Sequence, residues 1–110
     1  MTKIKSVKNI IEFMKNHSQY AEPLKAWISI VEDKDTKWFK PQDIVETFGA
    51  KAVDIIKNNR VVIDVKGNKI RIIAKYQFPS ARLYIKWIGT HAEYDKLKKN
   101  NQQYDIDLFK

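Results

Sequence analysis

The chain has no cysteine, three glycines, three prolines and two histidines among its 110 residues. Without cysteine there are no disulfides and no thiolate nucleophile, and His17 and His91 stand too far apart to give a zinc-ligand spacing. The expectation is metal-independent chemistry with no cofactor. No serine sits in a nucleophile turn either, which argues against an acyl-transfer hydrolase. No apolar run approaches the roughly 18 residues of a membrane span. The opening MTKIKSVKNIIEFMKNH is broken by charge every few residues and lacks the apolar centre of a signal peptide. A cytoplasmic protein with no membrane role is expected.

What is present is a folding composition with a basic excess. The chain is 44% hydrophobic and 12% aromatic, and its length suits one domain spanning residues 1–110. Lys and Arg number 21 against 13 Asp and Glu, a formal charge of +8 with a pI near 9.6. That balance favours a polyanionic partner, bound through counterion release. The lysines are spread over the chain and not gathered on one amphipathic helix, so nucleic acid is a better fit than a membrane surface.

Residues 60–96 organise the rest. Val61, Ile63 and Val65 are apolar at every second position, Lys66-Gly67-Asn68-Lys69 interrupts, and Ile70, Ile72, Ala74, Tyr76 and Phe78 resume the period. This predicts a hairpin centred on Gly67 and Asn68. After a break at Pro79-Ser80-Ala81, Leu83, Ile85 and Trp87 continue the same face, giving a three-stranded antiparallel meander. The opposite face is then Asp64, Arg71, Ile73, Lys75, Tyr84, Lys86 and Ile88, cationic, partly apolar and open to a partner. A two-residue turn would set Asp64 across from Arg71, so a plain cross-strand ion pair competes with a binding role for Arg71.

The meander runs into Gly89-Thr90-His91-Ala92-Glu93-Tyr94-Asp95-Lys96. Thr90 with Glu93 three residues on has the form of a capping box, so a helix is expected from His91. Helical spacing puts His91, Tyr94 and Asp95 on one face. A histidine beside a carboxylate one turn on suits proton transfer near neutral pH. The alternatives are a buried helix tyrosine for Tyr94 and a helix-surface pair for Asp95.

Before the meander the chain reads as helical covering. Residues 2–5 have the length of a short edge strand. From Ser6 as N-cap, Val7, Ile10, Ile11 and Met14 recur at helical spacing to about His17, a histidine that suits a helix end better than a site. Glu22-Pro23 opens a second helix with Leu24, Trp27, Ile28 and Val31 on its core face. Trp38-Phe39, flanked by lysines, suits a loop clamped onto the core better than a base-stacking site. Pro41 begins a short helix through Phe48, stopped by Gly49, and residues 52–56 read as a strand. Residues 97–110, rich in Asn and Gln, read as a loosely held tail. The fold class is α+β: N-terminal helices packed on an antiparallel sheet, with a short C-terminal helix.

VVIDVKGNKIRIIA, LYIKWIGTHAEYDKL, HSQYAEPLKAW and KPQDIVETFGAKAVDI together resemble the HigB-type toxins of bacterial toxin–antitoxin pairs, in the RelE superfamily, over about residues 4–97. The resemblance implies a compact RelE-like fold and a ribosome-dependent mRNA endonuclease that inhibits translation. It further implies an antitoxin of the HigA type, a helix-turn-helix protein that supplies the contact to operator DNA. On the matching motifs it implies catalytic roles for His91 as acid or base, Arg71 as phosphate clamp, Tyr94 as an orienting group and Asp95 as the partner of His91. Lys96, with Lys75 and Lys86 from the sheet face, would bind RNA. The chain departs from the family pattern in Lys40 where a serine cap is frequent, in Lys66 where the turn often has glycine, and in its long tail. A toxin-like module that binds RNA or antitoxin without cleaving is the competing reading.

Overall fold

Alternating apolar residues, with turn residues between them, build one five-stranded sheet in the spatial order Lys3–Lys5, Arg82–Thr90, Ile70–Gln77, Arg60–Val65, Val53–Ile56. The computed structural model describes residues 3–5, 7–67, 69–78 and 82–108. Ser6 as a cap, the Asn68 half of the hairpin turn and the break at Pro79-Ser80-Ala81 lie outside the described residues. In chain order the elements are β1 (Lys3–Lys5), α1 (Val7–Asn16), α2 (Ala21–Glu32), α3 (Pro41–Phe48), β2 (Val53–Ile56), β3 (Arg60–Val65), β4 (Ile70–Gln77), β5 (Arg82–Thr90) and α4 (His91–Lys99). The expected α+β class and meander are both present. The first strand adds to the edge in parallel, Ile4 opposite Leu83, while all other pairs are antiparallel.

The hairpin register is the one a turn at Gly67 dictates. Val65 pairs with Ile70 and Asp64 with Arg71. Lys66 takes φ 55° and Gly67 φ 61°. A lysine thus holds a left-handed position that glycine occupies at less steric cost. At the β2–β3 turn, Asn58 and Asn59 take φ 66° and 60°, as asparagine tolerates.

Helices α1, α2 and α3 cover one face of the sheet. Ile10, Leu24, Trp27, Val31, Trp38 and Ile44 pack there on Val61, Ile63, Ile70, Ile72, Ala74, Leu83 and Ile85. Trp38 is buried and its indole Nε1 donates to Thr47 Oγ1 at 2.9 Å, so it clamps the loop as expected, whereas Phe39 is 72% exposed. Helix α3 starts without a serine cap. In its place the Asp43 carboxylate accepts from the Phe39 and Lys40 amides at 2.7 and 3.2 Å. Gly49 closes the helix at φ 94°.

The second face is not the open surface that strict alternation implies. Ladder pairs run Ile73 to Trp87 and then Ala74 to Ile85, so β5 carries one extra residue, Lys86, as a β-bulge. The bulge reverses the facing of everything after it: Trp87, expected on the helical side, joins the second face, and Ile88, expected on the open side, joins the main core. Trp87, Val62, Ile73, Tyr94 and Leu97 form a second buried cluster beneath α4. Central strand β4 is therefore covered on both sides, with Ile72, Ile73 and Ala74 all fully buried.

The tail is also held, contrary to the loosely attached end expected from its polar composition. Gln103 is buried, and Arg60 Nη1 donates to the carbonyls of Gln103 and Ile106 at 3.2 and 2.7 Å. Leu108 N donates to Lys86 O at 3.0 Å, at the bulged residue of β5. Composition underestimated this segment because its anchors lie more than forty residues away in sequence.

Candidate active site

The start of α4 is fixed by local chemistry. Thr90 Oγ1 accepts from Glu93 N at 3.3 Å and Glu93 Oε1 accepts from Thr90 N at 2.8 Å, the capping box read from the sequence. His91 N donates to Lys69 O at 3.1 Å, and Arg71 pairs with Gly89, so the helix start is pinned beside the β3–β4 hairpin. Gly89 is required there for space: a Cβ would lie 2.5 Å from two carbons of the Trp87 ring. With no side chain at Gly89, Trp87 folds back toward Tyr94, their ring centroids 6.1 Å apart.

This geometry gathers Asp64, Arg71, His91, Tyr94 and Asp95 at one end of the second face. Arg71 Nη1 is 2.8 Å from Asp64 Oδ1, so the cross-strand pair is formed, and Arg71 Cζ sits 5.8 Å from the Tyr94 ring centroid. His91 Nε2 is 3.2 Å from Asp95 Oδ2, with the two side chains 45% and 59% exposed. His91 Nδ1 is buried and has no hydrogen-bond partner among the described residues. Nε2, by contrast, faces an exposed carboxylate.

Two titrations are shifted by the surroundings. Burial is the largest cause pushing the Asp64 carboxyl above its ordinary value, opposed by the positive charge of Arg71 and by His91. The Tyr94 hydroxyl is also raised, chiefly by burial and then by Asp54, so it stays a proton donor at neutral pH.

Beside this group opens a cleft of about 260 Å³ lined by Lys51, Asp54, Asp64, Arg71, Tyr94 and Lys98, among others. Tyr94 thus serves the core and the cleft wall at once. His91, Asp95 and the exposed Lys96 are not among the residues that line the cleft; Lys98, two residues beyond Lys96, is. Sequence reasoning missed Lys98, Lys51 and Asp54. Lys98 lies four residues from Tyr94, so helical spacing alone was a usable signal, but Lys51 and Asp54 reach the cleft only through β2 pairing.

Lys75 and Lys86 lie elsewhere. Lys75 is opposite Tyr84 near the far end of β4, four residues or roughly 13 Å from Arg71 along the strand. Lys86 Nζ is 3.1 Å from Asp107 Oδ2 of the tail. The expected site residues thus fall into two groups on one face. Among the described residues no cluster of His, Asp or Glu could hold a metal ion, and no helix is long and apolar enough to cross a membrane.

Residues 20–97 match the family model of the HigB toxin, described as the RelE-like toxic component of a toxin–antitoxin system. A relative, the mRNA interferase HigB of Escherichia coli O6:H1, is 36% identical over 66 residues. That alignment spans 60% of this chain and 64% of the relative.

Proposed function

The chain belongs to the HigB toxin family, the RelE-like toxic components of toxin–antitoxin systems, and we propose that it is a metal-independent endoribonuclease that cuts mRNA on the ribosome and so inhibits translation. The observation that supports this reading is that the Arg71 guanidinium and the protonated Tyr94 phenol line one cleft, with the His91–Asp95 pair on the helix that carries Tyr94.

Metal-free RNA cleavage needs a base for the 2′-hydroxyl proton, cations for the crowded phosphate and an acid for the leaving oxygen. The 2′-oxygen bonds to phosphorus as the bond to the 5′-oxygen breaks, leaving a cyclic phosphate and a 5′-hydroxyl. Arg71 is the phosphate clamp, exchanging part of its pairing with Asp64 for the phosphate oxygens. His91 moves a proton at Nε2, Asp95 holds that nitrogen until substrate takes its place, and the Tyr94 hydroxyl donates to a phosphate oxygen. Lys98 adds positive charge at the cleft, and Lys96 does so from the exposed face of α4.

The partners follow from the same reading. An antitoxin of the HigA type, a helix-turn-helix protein, holds the toxin inactive and carries the pair to operator DNA. The toxin acts on the ribosome in the cytoplasm. The test is controlled expression in bacteria with and without the neighbouring reading frame, mapping the 5′ ends of cellular mRNA. Growth arrest with new cuts, relieved by the neighbour and by His91→Ala, is the expected result. Arrest without new cuts would instead establish a module that binds without cleaving, and loss of neither arrest nor cuts in His91→Ala would remove the histidine from the chemistry.

A further inference from the structure

The far end of the second face has a groove of about 510 Å³ lined by Lys75, Tyr76, Gln77, Phe78, Tyr84 and Lys86 with the Asn59 turn. Among the described residues no carboxylate lines it. Its parts are interleaved cations and rings: Lys75 is the direct cross-strand partner of Tyr84, and Lys86 Nζ lies 5.8 Å from the Tyr84 ring centroid. The Tyr84 hydroxyl donates to Gln77 Oε1 at 3.2 Å. Tyr76 and Phe78, stacked on one another with centroids 5.2 Å apart, border it from the side of the main core, against which they pack. Ring faces between ammonium groups are the chemistry that holds an unpaired nucleotide, by base stacking and phosphate pairing.

The tail brings an anion to this cationic surface. Asp107 Oδ2 is 3.1 Å from Lys86 Nζ, delivered by the Leu108 amide on the Lys86 carbonyl. The tail lies beyond residue 97, where the family match ends. Its carboxylate occupies the position on Lys86 that a phosphate oxygen would take.

We propose that this groove is a second RNA subsite, which holds a nucleotide of single-stranded RNA flanking the one that is cut, with its base on Tyr84 and its phosphate between Lys75 and Lys86. In the protein without RNA, Asp107 stands in for that phosphate. The inference rests on the RNA-cleaving reading above for its substrate class, and it adds a place where the strand is held away from the reacting phosphate. The separation of roughly 13 Å between Arg71 and Lys75 along β4 keeps the two functions on different nucleotides.

The experiment uses the full chain carrying His91→Ala, which is not expected to cleave, and a fluorescent single-stranded RNA hexamer titrated at several salt concentrations. Tyr84→Leu, which fills the space without a ring, should weaken binding by roughly tenfold, while Tyr84→Phe should bind like the parent. Lys75→Ala should weaken binding and lower the salt slope by about one. Asp107→Asn should tighten binding by up to about fivefold, the scale of the ion pair that RNA no longer has to displace. Parental affinity in Tyr84→Leu, or no tightening in Asp107→Asn, overturns the subsite. The two readings fail separately: mRNA cuts that persist alongside groove-independent binding sink only the subsite, and groove-dependent binding by a protein that makes no cuts sinks only the endonuclease.

Discussion

Asp64 Oδ1 lies 2.8 Å from Arg71 Nη1 across the β3–β4 ladder, with the aspartate side chain 19% exposed and the arginine 12%. Removing one partner of such a pair leaves the other charge poorly solvated. Arg71→Ala should therefore cost on the order of 2–3 kcal/mol of stability, more than Asp64→Asn, which leaves a neutral amide beside the guanidinium. Urea denaturation of both variants measures the asymmetry, and equal losses would contradict it. For the same reason Arg71→Lys is a cleaner probe of phosphate binding than Arg71→Ala, since it keeps the charge while removing the bidentate fork.

The pair also carries a pH dependence. The Asp64 carboxyl is raised on folding, burial being the largest cause, so the folded state binds its proton more tightly than the unfolded state does. Its favourable contribution is complete below the unfolded value of 3.8 and is lost as pH rises through the raised folded value. Relative to the parent, Asp64→Asn should therefore be better tolerated at pH 7 than at pH 3.5. Urea midpoints of the two proteins at both pH values test the sign. A variant that does relatively better in acid would reverse it.

Gly89→Ala should destabilise the protein by about 2 kcal/mol, through an overpacked contact and not through backbone strain. The added methyl would sit 2.5 Å from two Trp87 ring carbons and 3.0 Å from Glu93 Oε1, so the helix cap and the indole both have to move. In a Trp87→Phe background the contact with the outer ring is gone. The same Gly89→Ala change should then cost less than half as much, a coupling that a double-mutant cycle reads directly.

What was legible in the sequence was local. The Thr90 and Glu93 cap, the Pro41 start and the Gly49 stop each depend on residues within four positions, and each forms as read; the β3–β4 register also matches the turn expected at Gly67. The Asp64–Arg71 pairing follows from that turn by counting. The bulge at Lys86 was not legible, because an extra residue in a strand leaves its apolar alternation superficially intact while reversing which side Trp87 and Ile88 face. The tail was missed for a different reason: Asn, Gln and Asp read as solvent-exposed, and here backbone carbonyls, not side chains, meet Arg60. The His91, Arg71 and Tyr94 grouping was readable only once a motif suggested it; no periodicity links β4 to α4.

Asp95→Asn offers a separation of stability from activity. His91 Nε2 and Asp95 Oδ2 are 3.2 Å apart with both side chains more than a third exposed. A surface pair of this kind contributes little, so the variant should keep its stability within about 0.5 kcal/mol. If Asp95 holds the imidazole ready for proton transfer, cleavage should nonetheless fall by roughly tenfold or more, within the range that general acid–base groups supply. Unchanged mRNA cutting by a stable Asp95→Asn protein would reduce the residue to a helix-surface pair.

Arg60 ties the last residues to the sheet, and its substitution should release them without unfolding the rest. The guanidinium is buried, donates to the carbonyls of Gln103 and Ile106, and is shifted downward by desolvation, against Asp107 and Asp105. Arg60→Met fills much of the same space with no donor, so both carbonyls lose their partner, a cost of about 1–3 kcal/mol for each buried group left unpaired. The main core lies on the other face of the sheet. Amide exchange at Leu108, whose N–H bonds to Lys86 O, should accelerate far more than exchange at Ile72 in central β4. Uniform acceleration across both positions would mean that Arg60 supports the whole fold; acceleration confined to the tail, together with tighter RNA binding, would identify Arg60 as the latch that holds Asp107 over Lys86.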